Sequence, residues 1–292
     1  MKKYIIFLFA LALIVGITSC NNDDPSSTSI FNTTTSRDSL DLWLLKNYTY
    51  PYNVAFKYKW EDIESDKTYN LVPADSAKAA KLAIIVKYLW FDAYTEVAGE
   101  DFVKSNVPRI IFLVGSAAYN SNNTMVLGTA EGGLKITLYM VNSLTDAMLE
   151  NYSTLNEYYF HTMHHEFTHI LNQKKPYDTN FNLITESGYV SGNWYQYTNS
   201  EAHQAGFVTP YAMDEGKEDF AEMMSTYVTT SESDWNAILS DAGTSGAALI
   251  NEKLDIIRSY MKDSWGIDID NVRDVVLRRA GDISKLDLNH LN

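Results

Sequence analysis

His165-Glu166-Phe167-Thr168-His169 places two imidazoles four residues apart, with a carboxylate beside the first. In a helix, residues at that spacing share a face and lie about 6 Å apart along the axis, so both imidazoles reach one metal ion. The intervening carboxylate, Glu166, is placed to take a proton from water at that ion. The pattern predicts one Zn²⁺ with Glu166 as general base. A catalytic zinc takes three protein ligands and keeps one position open. Glu218-Asp219-Phe220-Ala221-Glu222 offers the missing carboxylate. Its two glutamates share a helix face, one suited to the metal and the other to holding a ligand imidazole. A solvated acidic face on an acidic protein is the plain alternative for this pair.

Other histidines compete for the same roles. His161 lies four residues before His165, but Thr162 follows it and leaves that pair without a base. His161 and His169 stand about 12 Å apart along a helix, too far for one tetrahedral ion. His161 and His164 are therefore read as structural or solvated, and His203 as an exposed loop residue. Trp194, Tyr195 and Tyr197 either line a substrate cleft or pack a loop.

These residues need elements to position them. Residues 39–48 read as a short helix ended before Pro51, and 54–60 alternate as a half-buried strand. A helix is expected over 73–98, capped by Asp75 or Ser76, and a buried strand over 109–114. Residues 134–141 alternate again, with Leu134, Ile136, Leu138 and Met140 on one face. The motif lies in a helix over 154–173, followed by a long irregular excursion over 174–209. Asp214 is the expected cap of a helix to about Tyr227, and two more helices follow near 247–265 and 270–280. Strands mixed with helices, then helices only, make an α+β arrangement. A sheet-containing lobe is expected over about 36–173 and a helical lobe over about 174–292.

The H-E-x-x-H and E-x-x-x-E spacing resembles the gluzincin metallopeptidases. The wording Glu218-Asp219-Phe220-Ala221-Glu222, with Tyr211 seven residues ahead, is similar to the lethal-factor-like branch. With its N-terminal segment, the chain resembles the substrate import-associated zinc metallohydrolase lipoproteins of Gram-negative gut-type bacteria, most specifically over 159–227. The resemblance implies a zincin-like fold with a mixed sheet, an active-site helix and a helical C-terminal lobe. It implies His165, His169 and Glu218 as zinc ligands, Glu166 as base, Glu222 as support for a ligand imidazole, and Tyr211 as a stabiliser of the oxyanion. It also implies a peptide or protein substrate, an edge strand over 134–141 that pairs with it, and an outer-membrane import complex as partner. Asp219 departs from the branch, which has an aromatic residue there. A scaffold that binds without cleaving, or a hydrolase of another amide or ester, would use the same framework. The intact Glu166 favours an enzyme.

The N-terminus reads as an address. Lys2 and Lys3 precede fourteen almost wholly apolar residues that end on Ile17-Thr18-Ser19-Cys20. A helix of that length rises about 21 Å, short of a roughly 30 Å bilayer core, so the stretch reads as a secretory signal. Small residues leading to the chain's one Cys resemble the bacterial lipoprotein box, with residues 1–19 removed and Cys20 acylated. Residues 20–35, rich in Asn, Asp, Ser and Thr, form a tether to a domain over 36–292. The expectation is an outer-membrane lipoprotein, facing the periplasm or the cell surface. Of 292 residues 46% are hydrophobic and 21% charged, which suits a folded domain and excludes bulk disorder. A net charge of −14 without a basic cluster excludes a nucleic-acid partner.

Overall fold

The computed structural model describes residues 37–120, 124–126, 128–131 and 133–291. The expected signal, the tether and Cys20 lie outside the described residues. From Ser39 onward the chain forms one compact unit. Among the described residues no helix is long and apolar enough to cross a membrane.

Helix α1 (Ser39–Leu44) continues through a π turn (Leu45–Thr49) into Tyr50–Tyr52. The helix expected to stop before Pro51 thus runs past it. Pro51 falls in the first turn of the last segment, where a missing N–H costs little. Strand β1 (Ala55–Lys57) is shorter than the seven residues expected. Helix α2 (Ser76–Val86) starts where the Asp75 carboxylate accepts the Lys78 N–H. A π turn (Lys87–Phe91) carries it into α3 (Asp92–Ala98), and α4 (Glu100–Asn106) follows. Next come β2 (Ile110–Leu113), a hairpin of β3 (Ala118–Tyr119) and β4 (Met125–Val126), then β5 (Gly128–Glu131) and β6 (Lys135–Leu138).

The four-stranded sheet has the order β1-β2-β6-β5. β1, β2 and β6 are parallel, and β5 pairs antiparallel with β6. Ile111, Leu113, Ile136 and Leu138 face the main core, while Phe112, Val114 and Tyr139 pack on the other side against Trp60, Tyr69 and Leu71. A sheet covered on both faces leaves its inner strands buried along their whole length. That corrects the reading of 134–141 as an edge. β6 is interior, its Lys135 is buried with Nζ donating to the Glu64 carbonyl at 2.9 Å, and the edge strand next to it is β5.

Helix α5 (His161–Lys174) carries the motif and grows out of a π turn at Asn156–Phe160. Gly128 lets β5 approach it closely, since a Cβ there would stand 2.7 Å from Thr162 Cγ2. The excursion that follows is more ordered than the sequence indicated. It holds Asn180–Ile184, several 3₁₀ turns and α6 (Asn199–Gln204), which begins with a reciprocal cap between Thr198 and Glu201. Helix α7 (Gly216–Thr229) has Glu215, not Asp214, at its N-cap position. Helix α8 (Glu232–Trp265) begins well before the expected residue 247 and breaks at Gly243, whose φ of 66° only glycine adopts readily. Helix α9 (Ile269–Gly281) closes the bundle. The fold is mixed α+β, mostly helical around a small, largely parallel sheet.

Candidate metal centre

One face of α5 is core. Met163, Phe167 and Leu171 are fully buried there, and Phe167 meets the rings of Trp90 and Tyr94 at 5.3 and 5.0 Å. Burying a side chain of that size contributes roughly 1.5–3 kcal/mol. His164 belongs to this face. Its Nδ1 lies 2.9 Å from the Tyr94 hydroxyl, and burial pushes its imidazole down to about 3, so it stays neutral. The packing turns His165 and His169 the other way, toward α7, which packs along α5.

There the structure brings His165, His169 and Glu218 together. Nε2 of His165 lies 3.0 Å from Glu218 Oε2 and 3.0 Å from His169 Nε2, and His169 Nε2 lies 3.3 Å from Glu218 Oε2. Ligand atoms on a tetrahedral ion with bonds of about 2.0–2.1 Å stand roughly 3.3 Å apart. Three electron-rich atoms this close need a positive centre, whether a proton or a metal ion. The donor set of two imidazoles and a carboxylate fits zinc.

Electrostatics point the same way. Burial works to lower the His165 imidazole, but hydrogen bonds to Glu218 and Glu222 outweigh it and push it up to about 10. Burial works to raise Glu218, and its bonds with His165 and His169 hold it well below the carboxylate range instead. Both groups are tuned to share a cation.

Glu222 sits behind this set. Its Oε1 accepts from His165 Nδ1 at 2.8 Å and from His161 Nε2 at 3.0 Å, and its Oε2 accepts from Thr209 Oγ1 at 2.6 Å. With Nδ1 so engaged, Nε2 is the nitrogen that His165 offers to a metal once its proton is displaced. His161, read from the sequence as structural or solvated, joins the site through this carboxylate. Thr209 had no sequence signal.

Glu166 lies beside the donor set, and burial is the main cause that raises its carboxyl, opposed by His165 and His169. Tyr211 stands on a 3₁₀ turn (Tyr211–Met213) with its ring 5.7 Å from that of His165. Burial and then the Glu218 charge push its hydroxyl up, so it remains a donor. Trp194 packs edge-on against it at 5.1 Å. Two recesses open here, of 440 and 340 Å³, and Glu166 and Tyr211 line both.

The departure at Asp219 has an internal answer. Asp219 Oδ2 accepts from Lys253 Nζ at 2.6 Å and from the Tyr189 hydroxyl at 2.9 Å. Lys253 also donates to the Gly206 carbonyl at 2.9 Å and lies over the Phe207 ring. The signal was present in the sequence: Lys253 interrupts the apolar stripe Ile250, Leu254 and Ile257, and a buried lysine needs a buried acid. His203 is likewise buried rather than exposed, with Nδ1 2.6 Å from Asp241 Oδ2.

Two imidazoles and a carboxylate converging beside the half-buried acid Glu166 are the donor set of a zinc-binding hydrolase. The chain belongs to the family described as "putative zinc-binding metallo-peptidase", which it matches over residues 33–270. It is similar to the protein in a 2.10 Å crystal structure described as a "putative zinc-binding metallo-peptidase" from Bacteroides caccae. The two share 44% identity with a TM-score of 0.77, covering 90% of this chain and 100% of that one. The comparison with curated proteins returned no match.

Proposed function

We propose that the protein is a zinc peptidase of the gluzincin type, close to the lethal-factor-like branch, and that His165, His169 and Glu218 hold its one zinc ion. When bound, zinc polarises a substrate carbonyl and lowers the pKa of water to about 7. Glu166 removes the proton from the attacking water and returns it to the departing amine. Tyr211 donates a hydrogen bond to the carbonyl oxygen as negative charge builds there. Glu222, steadied by His161 and Thr209, holds the His165 ring in the tautomer that leaves Nε2 free. The substrate strand lies along β5, an edge strand of the sheet that packs beside α5. Cys20 is the acylated N-terminus of a secreted lipoprotein, which serves an import complex at the outer membrane.

The observation that carries this reading is the position of Glu166 and Tyr211, which line both recesses next to the ligand atoms. A carbonyl entering from either recess meets the proposed base and the proposed oxyanion donor. The test is cleavage of a mixed peptide library by the purified protein, lost on chelation and restored by zinc. A zinc-loaded protein that leaves every peptide intact contradicts it.

A further inference from the structure

The segment that follows α6 carries two residues of the centre in quick succession, Thr209 and Tyr211. Thr209 Oγ1 donates to Glu222 at 2.6 Å and accepts the Ala212 N–H at 3.1 Å, so this hydroxyl ties the carboxylate to the turn that bears Tyr211. Just ahead of them the backbone is held by its carbonyls. Lys253 Nζ donates to the Gly206 carbonyl at 2.9 Å, and His203 Nε2 lies 3.2 Å from the Val208 carbonyl. Each of these bases has an acid behind it. Asp219 stands 2.6 Å from the lysine, and Asp241 stands 2.6 Å from His203 Nδ1.

An ammonium has three N–H donors and serves both of its partners at once. The imidazole is in a different position. Both of its nitrogens face acceptors, a carboxylate and a carbonyl, and a neutral ring has one N–H. Both bonds are therefore made only when the ring carries two protons. Once one is lost, the other stays on Nδ1 against the carboxylate, the stronger acceptor, and Nε2 turns a lone pair toward the Val208 oxygen. The groups around the ring suit its protonated form. Helix α8 supplies Asp241, whose carboxyl is held below its usual range by the bond to His203 and then by one from Ser200. Lys253 of the same helix is committed to Asp219, and on α6 the Glu201 carboxylate is turned to Thr198. The ring is buried, on a helix that packs along α8.

We infer that His203 and Asp241 are positioning residues of the metal centre: the doubly protonated ring pins the Val208 carbonyl, which sets Thr209 against Glu222 and places Tyr211. The inference rests on the peptidase reading, and it makes the reaction depend on a proton held away from the metal. Neither residue lines the two recesses beside the ligand atoms. Their influence runs through the backbone of 208–211 and nothing else in the chain of contacts given above.

Two variants separate the bond to Val208 from the rest. In His203→Asn the amide N–H replaces Nδ1–H and keeps Asp241 but cannot reach Val208. In His203→Gln with Asp241→Asn the Gln amide replaces Nε2–H, the Asn amide donates to the Gln oxygen, and both bonds are rebuilt without a charge. Compared at equal zinc content, His203→Asn should lose at least about tenfold in kcat with KM within about twofold, and the double variant should recover to within about threefold of wild type. Amide hydrogen exchange over 209–213 should follow the same order, faster in His203→Asn and restored in the double variant. A wild-type kcat in His203→Asn, or a double variant as slow as the single one, overturns the inference and leaves the peptidase reading intact. If wild type cuts nothing, the peptidase reading falls and exchange decides, equal protection in all three proteins overturning the inference. Should His203→Asn fail to fold, wild type and the double variant suffice. As the His203 ring gives up its proton, followed by the NMR signal of its ring carbons, protection of 209–213 should fall in step in wild type and hold in the double variant. Protection that stays constant in wild type through that step overturns it.

Discussion

Helix α7 carries buried acids on two sides, and the two are neutralised differently. On one side Glu218 and Glu222 meet imidazoles of α5, at 3.0 and 2.8 Å from His165. On the other, Asp219 meets Lys253 of α8 at 2.6 Å, and both side chains are fully buried. Asp219 has a cation that the chain itself always supplies. Glu218 faces imidazoles that are charged only when protonated, with the exposed Lys217 ammonium no nearer than 4.0 Å, so its close positive partner is a proton or a metal ion taken up from solution. A carboxylate with its own lysine braces the fold, and a carboxylate facing imidazoles waits for an ion. Burial lifts the Asp219 carboxyl to about 6 even against Lys253, which shows how much the environment resists an unpaired charge there.

The sharpest break of this contrast removes a ligand on the α5 side. His169→Ala should lower bound zinc from one per chain to none by elemental analysis, with the circular dichroism spectrum unchanged because His169 lies off the core face. Full occupancy in that variant would place the metal elsewhere. On the lysine side, Lys253→Met strands a buried carboxylate and should cost about 3–5 kcal/mol in urea denaturation. Adding Asp219→Leu should recover most of that loss; a double variant as weak as the single one would mean that Lys253 acts through packing. Glu222→Ala should weaken zinc affinity about 10–100-fold against a chelating dye without abolishing it.

A further effect is a slope. His165, held up to about 10, carries a proton at neutral pH that zinc must displace. Apparent zinc affinity should therefore climb about tenfold per pH unit between about pH 7 and 10, then level off. In the zinc-free protein the raised pKa stabilises the fold fully below about 6.5, the unfolded value, and that contribution fades as pH rises through about 10. A flat affinity profile would show His165 to be neutral before zinc arrives.

The two sides of α7 were not equally legible in the sequence. Helical periodicity is local, so the shared face of His165 and His169, and that of Glu218 and Glu222, followed from spacing alone. Partners brought together by tertiary packing left weaker marks. Lys253 lies 34 residues beyond Asp219, and Thr209 approaches Glu222 from a segment with no periodic pattern. The interior place of β6 was hidden because Lys135 and Thr137 look polar along the chain yet are buried, Lys135 against the Glu64 carbonyl. Helical backbone runs through Pro51 after a π turn that periodicity does not reveal. The α+β class survived these errors because it depends on the order of elements and not on their ends.

Glu166 is the group on which the enzymatic reading turns, since it touches neither the lysine brace nor the ligand atoms' retention of the metal. Glu166→Gln keeps its shape and removes the proton acceptor. Measured beside wild type on a peptide that wild type cuts, the variant should hold one zinc per chain, bind the peptide as before and turn over at least about 10²-fold more slowly. Equal turnover by the two proteins at equal zinc content would contradict the assignment of Glu166 as the base.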